Sequence, residues 1–205
     1  MTPNHESHDL GVIHGRFQVL HNDHLKYLLA GKEQCRHLVV GITNAETDMI
    51  QQEAADPERG TRLANPLTYF ERYQLVRYAL LEAGVDHQEL TIVPFPISHP
   101  ERYCHYVPLG AVFFLTIYDD WGRRKQEYFE SLGLRTCILR EVQPEEKGIS
   151  ATDVRQHMLQ GTPWQHLVPK SVAKLLEGWN VIQRLQDIRS ELGTTPPDDH
   201  QTNAS

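Results

Sequence analysis

Leu10-Gly11-Val12-Ile13-His14-Gly15-Arg16-Phe17-Gln18-Val19-Leu20-His21-Asn22-Asp23-His24 runs from a short apolar segment directly into a glycine, an arginine and two histidines. Residues 10–14 have the length and apolarity of a buried strand, and a helix is expected over 22–34. Gly15 follows that strand, where a residue without a side chain lets backbone approach a ligand closely. Arg16 presents a planar fork of donors suited to phosphate oxygens. His21 and His24 are three apart at the opening of a helix, so both can face one side. The helix N-terminus adds N–H groups and the positive end of its dipole. Alone, an H-x-x-H pair reads as two histidines capping a helix. After strand–Gly-Arg-Phe-Gln it reads as a site for a triphosphate undergoing displacement.

Outward from this string, strands alternate with amphipathic stretches. Residues 37–43 (HLVVGIT) are apolar enough for a strand buried on both faces, and 90–93, 112–118 (VFFLTIY) and 135–139 follow as further strands. Helices are expected over 68–83, where Thr68 and Glu71 fit a capping box, and over 123–132, closed by Gly133. The alternation implies an α/β fold: a Rossmann-like, doubly wound parallel sheet with right-handed crossovers. Helices over 150–159 and 170–189, separated by Pro163 and Pro169, read as a small C-terminal helical appendage over about 150–190. The expected organisation is one domain over 9–192, with an insertion or lid at about 45–64. A polar, proline-containing tail at 193–205 is expected to be disordered.

Composition narrows the function. A net charge of −7 argues against broad binding to nucleic acid or an anionic membrane, while leaving room for a local anion site in one cleft. No run approaches the roughly 18 apolar residues of a membrane span, and the polar first ten residues do not form a secretory signal. Cys35, Cys104 and Cys137 are widely spaced and contain no C-x-x-C pair, which suits a reducing compartment. The cytoplasm is the expected location. No interface stripe decides the oligomeric state, so a homo-oligomer stays open.

A second anion-binding terminus is marked downstream by Gly148-Ile149-Ser150-Ala151-Thr152-Asp153-Val154-Arg155. Ser150 with Asp153 signals a helix start, and Arg155 lies one turn in.

Together the two strings resemble the motifs H-x-G-H and I-S-x-T-x-x-R of the α/β phosphodiesterase-type nucleotidylyltransferases. Within that superfamily the chain is most similar to archaeal-type nicotinamide mononucleotide adenylyltransferases. The resemblance is carried by Gly15-Arg16-Phe17-Gln18, by Asn65-Pro66-Leu67-Thr68 with Glu71-Arg72, and by Trp164-Gln165-His166-Leu167-Val168-Pro169. It covers roughly 10–189. It implies in-line attack of an acceptor phosphate or phosphonate on the α-phosphorus of a nucleoside triphosphate, with release of pyrophosphate and no covalent enzyme intermediate. It also implies roles. His21 and His24, with Arg16, would be catalytic. Gly15, Phe17, Gln18, Ser150, Thr152 and Arg155 would hold the nucleotide and its phosphates. Mg2+ would bridge phosphate oxygens and keep several waters.

Three departures from the family pattern lie near the site. Asp23 stands where H-x-G-H has glycine, and is expected to turn toward magnesium or a cationic part of the acceptor. Asp119-Asp120-Trp121 replaces a Gly-Asn pair after the fourth strand. Tyr103 falls where a ring-stacking tryptophan is expected. The acceptor set is therefore Tyr103, Asp119, Trp121, Arg123 and Arg124. The adenylyltransferase reading leads. An alternative keeps the fold and reaction but uses CTP and a small phosphonate such as phosphonoformate, with His99, Arg102, His105, Arg123 and Arg124 around a compact dianion. A non-catalytic nucleotide sensor is the alternative from a different class.

Overall fold

The computed structural model describes residues 7–45, 60–118, 120–142 and 148–193. Five parallel strands form one sheet: β1 (His8–Gly15), β2 (Cys35–Thr43), β3 (Leu90–Phe95), β4 (Val112–Ile117) and β5 (Arg135–Glu141). Their order is β3-β2-β1-β4-β5. Among the described residues six α-helices accompany them: α1 (Asn22–Glu33), α2 (Tyr69–Glu82), α3 (Asp120–Ser131), α4 (Ala151–Gln160), α5 (Lys170–Gly178) and α6 (Val181–Gly193). This is the Rossmann-like α/β architecture that the alternating pattern implies.

The strands are apolar on consecutive residues because both faces are covered. Ile13, Leu38, Val40 and Phe114 face a large core shared with α1, α2 and the C-terminal helices. Val12, Val39, Phe113 and Leu115 face a smaller one closed by Phe129 of α3 and by Tyr103. The side-chain period of two sends neighbours to opposite layers.

Sheet order also decides where a ligand can enter. From β1 the chain winds one way to β2 and β3, then crosses to β4 on the other side of β1. The crevice at such a reversal, outside the carboxyl ends of the strands, is the usual ligand site of open α/β sheets. The β1–β4 ladder pairs Gly11 with Val112 and Val12 with Phe113. Beyond Val12 the two strands part, although β1 continues to Gly15 and β4 to Ile117.

One expected element differs in kind. The single helix expected over 170–189 is two, α5 and α6, broken at Asn180, whose φ is +52°. Asn is among the few residues that adopt left-handed backbone at low cost, and the apolar period continues through the break. The turn brings α6 back so that Arg184 reaches Glu71 at 2.7 Å and the Pro66 carbonyl at 3.1 Å. Helix α3 begins at Asp120, three residues earlier than expected. Most of the proposed insertion, residues 46–59, lies outside the described residues, as does the tail from 194 onward. Among the described residues, no helix is long and apolar enough to cross a membrane.

Candidate active site

At the β1–β4 crevice lies a cavity of about 820 Å³ that takes in both sequence motifs. The first motif builds one wall. His21 is the N-cap of α1, and its Nδ1 accepts the His24 backbone N–H at 3.4 Å. That geometry stacks the two imidazoles, centroids 3.7 Å apart and planes 27° from parallel. The expectation that both face one side is met by direct ring contact. Phe17 meets His24 edge-on at 5.2 Å.

Gly15 lines the cavity and has a second role beside the expected one. A Cβ there would lie 2.8 Å from Cζ of Phe17, so the missing side chain makes room for the Phe17 ring. Phe17 itself has φ of +54° and is fully buried, which makes it part of the wall's foundation.

Burial is the main force on both histidines. It lowers the His21 pKa to about 4, against the opposing pull of Asp23 and Asp153. His24 is held well below its ordinary value by burial and by His21 beside it, opposed by a hydrogen bond with the Val19 backbone. Both rings are therefore neutral near pH 7. A neutral imidazole offers an N–H donor, and an arriving phosphate would draw a proton onto it.

The second motif forms the facing wall. Ser150 caps α4, and Ser150 and Asp153 make a reciprocal capping box: the Asp153 N–H donates to Ser150 Oγ at 3.2 Å and the Ser150 N–H to Asp153 Oδ2 at 2.8 Å. Arg155 is 7% exposed and lines the cavity. It donates to the Gln18 carbonyl and, at 3.1 Å, to Thr152 Oγ1. Burial, with Arg16 nearby, lowers its pKa to about 10, so the guanidinium remains charged.

Asp23 makes the other tie between the motifs. Its Oδ2 accepts the Ile149 N–H at 2.8 Å, and its Oδ1 accepts from Lys26 Nζ at 2.7 Å. A Cβ at Gly148 would collide with Asp23 Oδ2. Burial would raise the Asp23 pKa, but Lys26 and the Ile149 N–H outweigh it and hold it below the usual range. The carboxylate lines the cavity and joins the two motifs, its charge answered within the protein by a lysine and a backbone donor in place of the expected cation. Among the described residues no three His, Cys, Asp or Glu side chains gather as a metal cage. The donors among the described residues thus form no metal cage of their own, and they fit a cation that arrives with its own ligands on the triphosphate.

Gln18 also lines the cavity, with its amide engaged within the protein. It is buried and reads the backbone of Leu67 on both sides, donating to its carbonyl at 2.8 Å and accepting its N–H at 2.9 Å. The Asn65-Pro66-Leu67-Thr68…Glu71-Arg72 motif is scaffold in the same way. Arg72, fully buried, donates to the carbonyls of Arg16 (3.1 Å), Thr43 (2.7 Å), Asn44 (2.7 Å) and Thr68 (3.3 Å). It fixes the backbone that carries Arg16 into the cavity, a role that sequence reasoning missed. The Glu71-Arg72 pair was the available signal.

The acceptor set fares least well. Tyr103 is 1% exposed, packs on Phe95 with centroids 4.5 Å apart, and donates its hydroxyl to the Ile97 carbonyl at 2.7 Å. It belongs to the core below the site and not to the cavity wall. Arg123 is exposed and pairs with Glu141 at 3.1 Å, and Arg124 is exposed; neither lines the cavity. His99 and Arg102 are exposed beside Glu101, and His105 is exposed at the end of the short 3-10 helix Pro100–His105. Asp119 and the Trp121 side chain lie outside the described residues. The cavity is lined on this side by His14, Thr116, Tyr118, Gly122 and Lys125.

Known proteins agree with this architecture. Residues 12–157 match the family model for cytidylyltransferase-like proteins. A phosphonoformate cytidylyltransferase from Streptomyces viridochromogenes is 51% identical over 176 residues, 86% of this chain and 95% of the relative. A nicotinamide-nucleotide adenylyltransferase from Thermococcus onnurineus is 29% identical over 194 residues, 89% of each chain. The crystal structure of a bifunctional NMN adenylyltransferase/ADP ribose pyrophosphatase from Francisella tularensis has a TM-score of 0.62 at 17% identity, over 91% of this chain. That likeness is one of fold, and the chain spans about half (54%) of that protein's length. The chain belongs to the cytidylyltransferase-like family and is a nucleotidyltransferase.

Proposed function

We propose that the chain transfers a cytidylyl unit from CTP to a small phosphonate acid such as phosphonoformate, releasing pyrophosphate. The carrying observation is the 51% identity to a phosphonoformate cytidylyltransferase over nearly the whole of both chains. It favours this reading over the nicotinamide mononucleotide adenylyltransferase suggested by the ordered motifs, whose relatives stand at 29%.

A phosphonate oxygen of the acceptor attacks the α-phosphorus, and the bond from that phosphorus to the bridging oxygen breaks. The electron pair leaves with pyrophosphate. The attacking oxygen is already anionic, so no general base is needed. Catalysis rests on alignment and on donors placed where charge develops. His21 and His24 offer N–H groups to the α-phosphate and the departing oxygen. Arg16, the donors that Arg155 has left over, and the α4 terminus at Ser150 and Thr152 hold the β- and γ-phosphates. Magnesium riding on the triphosphate would neutralise part of its charge.

The test is pyrophosphate release with CTP or ATP crossed against phosphonoformate and nicotinamide mononucleotide. Fastest turnover with CTP and phosphonoformate is expected. Turnover only with ATP and nicotinamide mononucleotide would restore the adenylyltransferase reading, and nucleotide binding without any pyrophosphate would indicate a sensor.

A further inference from the structure

His14 is the last side chain of β1 before Gly15, at the point where β1 and β4 have already separated. It is 8% exposed and wedged between Phe95 and Phe129, with centroids 5.4 Å from each. Neither ring nitrogen has a hydrogen-bond partner in the protein. A buried imidazole with both nitrogens unpaired is costly and rare in native structures. The two phenyl rings prevent it from swinging away to find a partner elsewhere. The residue also lines the cavity, together with Thr116 and Lys125.

We propose that His14 is an acceptor-recognition residue, which donates its ring N–H to the second acid group of the acceptor, the carboxylate beside the phosphorus, while Lys125 supplies the positive charge. The assignment rests on the transferase reaction proposed above. The division of labour follows from chemistry. Burial first, and Lys125 second, keep His14 in its neutral form. A neutral ring carries one donor and no charge, so it orients an anionic oxygen without balancing it. Lys125 lies close enough to act on the His14 charge and lines the same cavity. A small phosphonate held by its carboxylate at this end would turn its phosphonate oxygens toward Arg16 and the stacked histidines. An acceptor without the carboxylate leaves His14 unpaired, and this becomes the basis of selection.

The experiment compares the wild-type chain with His14→Phe, which fills the same slot between Phe95 and Phe129 but has no nitrogen. With CTP, the KM for phosphonoformate should rise about tenfold to a hundredfold, while the KM for CTP and the rate with methylphosphonate stay within about twofold. His14→Gln, which restores a donor, should recover part of the loss. An unchanged phosphonoformate KM in His14→Phe, or an equal loss with methylphosphonate, would overturn the proposal. Titrating 15N-histidine-labelled protein with phosphonoformate separates this from the reaction itself. If wild type fails to turn over with CTP and phosphonoformate, the reaction proposal falls. The His14 ring resonance, assigned by its loss in His14→Phe, then decides on its own: a shift on adding phosphonoformate supports the subsite, and no shift overturns it.

Discussion

The two ends of the cavity are built on opposite plans. At the phosphate end most of the polar side chains that shape the walls already have protein partners, with His24 Nδ1 a buried exception. Asp23 holds Ile149, Arg155 holds Gln18 and Thr152, Gln18 holds Leu67, and Arg72 holds the backbone under Arg16. At the other end His14 has two buried nitrogens with no partner at all. The first end is organised in advance of any ligand, as electrostatic catalysis requires, because donors that need no rearrangement cost nothing at the moment of reaction. The second leaves its hydrogen bonds to be completed by whatever enters. On the reaction and the His14 role proposed above, the shared reaction is written into fixed scaffold and acceptor choice into groups left waiting.

The contrast can be broken most forcefully at Arg72. Arg72→Met removes the donor shared by the carbonyls of Arg16, Thr43, Asn44 and Thr68 in a fully buried place. A loss of about 3–5 kcal/mol in unfolding free energy is expected from denaturant titration. A loss below about 1 kcal/mol would mean that the phosphate wall does not depend on this scaffold.

Asp23 offers a sharper and smaller test. Asp23→Gly removes the tie to Ile149 and should raise the KM for the triphosphate about tenfold, with the magnesium dependence unchanged. Asp23→Asn can still accept the Ile149 N–H and should fall between. Should the magnesium requirement shift instead, the carboxylate acts on the ion and not on the backbone.

The smallest effect concerns pH. An unfolded histidine titrates near 6.5, and burial holds folded His14 well below that. As pH falls through 6.5 the unfolded chain takes up a proton that the native ring refuses, so stability is full above this range and declines below it. Wild type should therefore lose about 1 kcal/mol more than His14→Phe between pH 6.5 and 5.5. Parallel stability curves would show that the ring is not held neutral. His21, depressed to about 4, and His24 add to the same acid slope in both proteins.

Much of the frame was legible because it is written in short-range pattern. Consecutive apolar residues marked the five strands. Thr68 with Glu71 and Ser150 with Asp153, each three residues apart, marked helix starts whose capping boxes the structure contains. The H-x-x-H spacing at a helix start put His21 beside His24. The break at Asn180 escaped because the apolar period does not change there, and Arg123 and Arg124 misled because a charge at a helix start looks the same whether it faces a cavity or solvent.

By itself, then, the sequence determined the order of strands and helices, their caps and the two motifs, since each depends on residues within about one helical turn or one strand. Only the tertiary structure decided which carbonyls Arg72 would hold, that Tyr103 would pack in the core, and that His14 would be sealed beside a crevice without a partner. Asp23 shows the reason most simply: its backbone partner Ile149 is 126 residues away in the chain. A carboxylate's role is set by the donors that reach it: Lys26 comes from the next turn of the same helix, but Ile149 is delivered by the return of the chain after β5, which no local pattern announces.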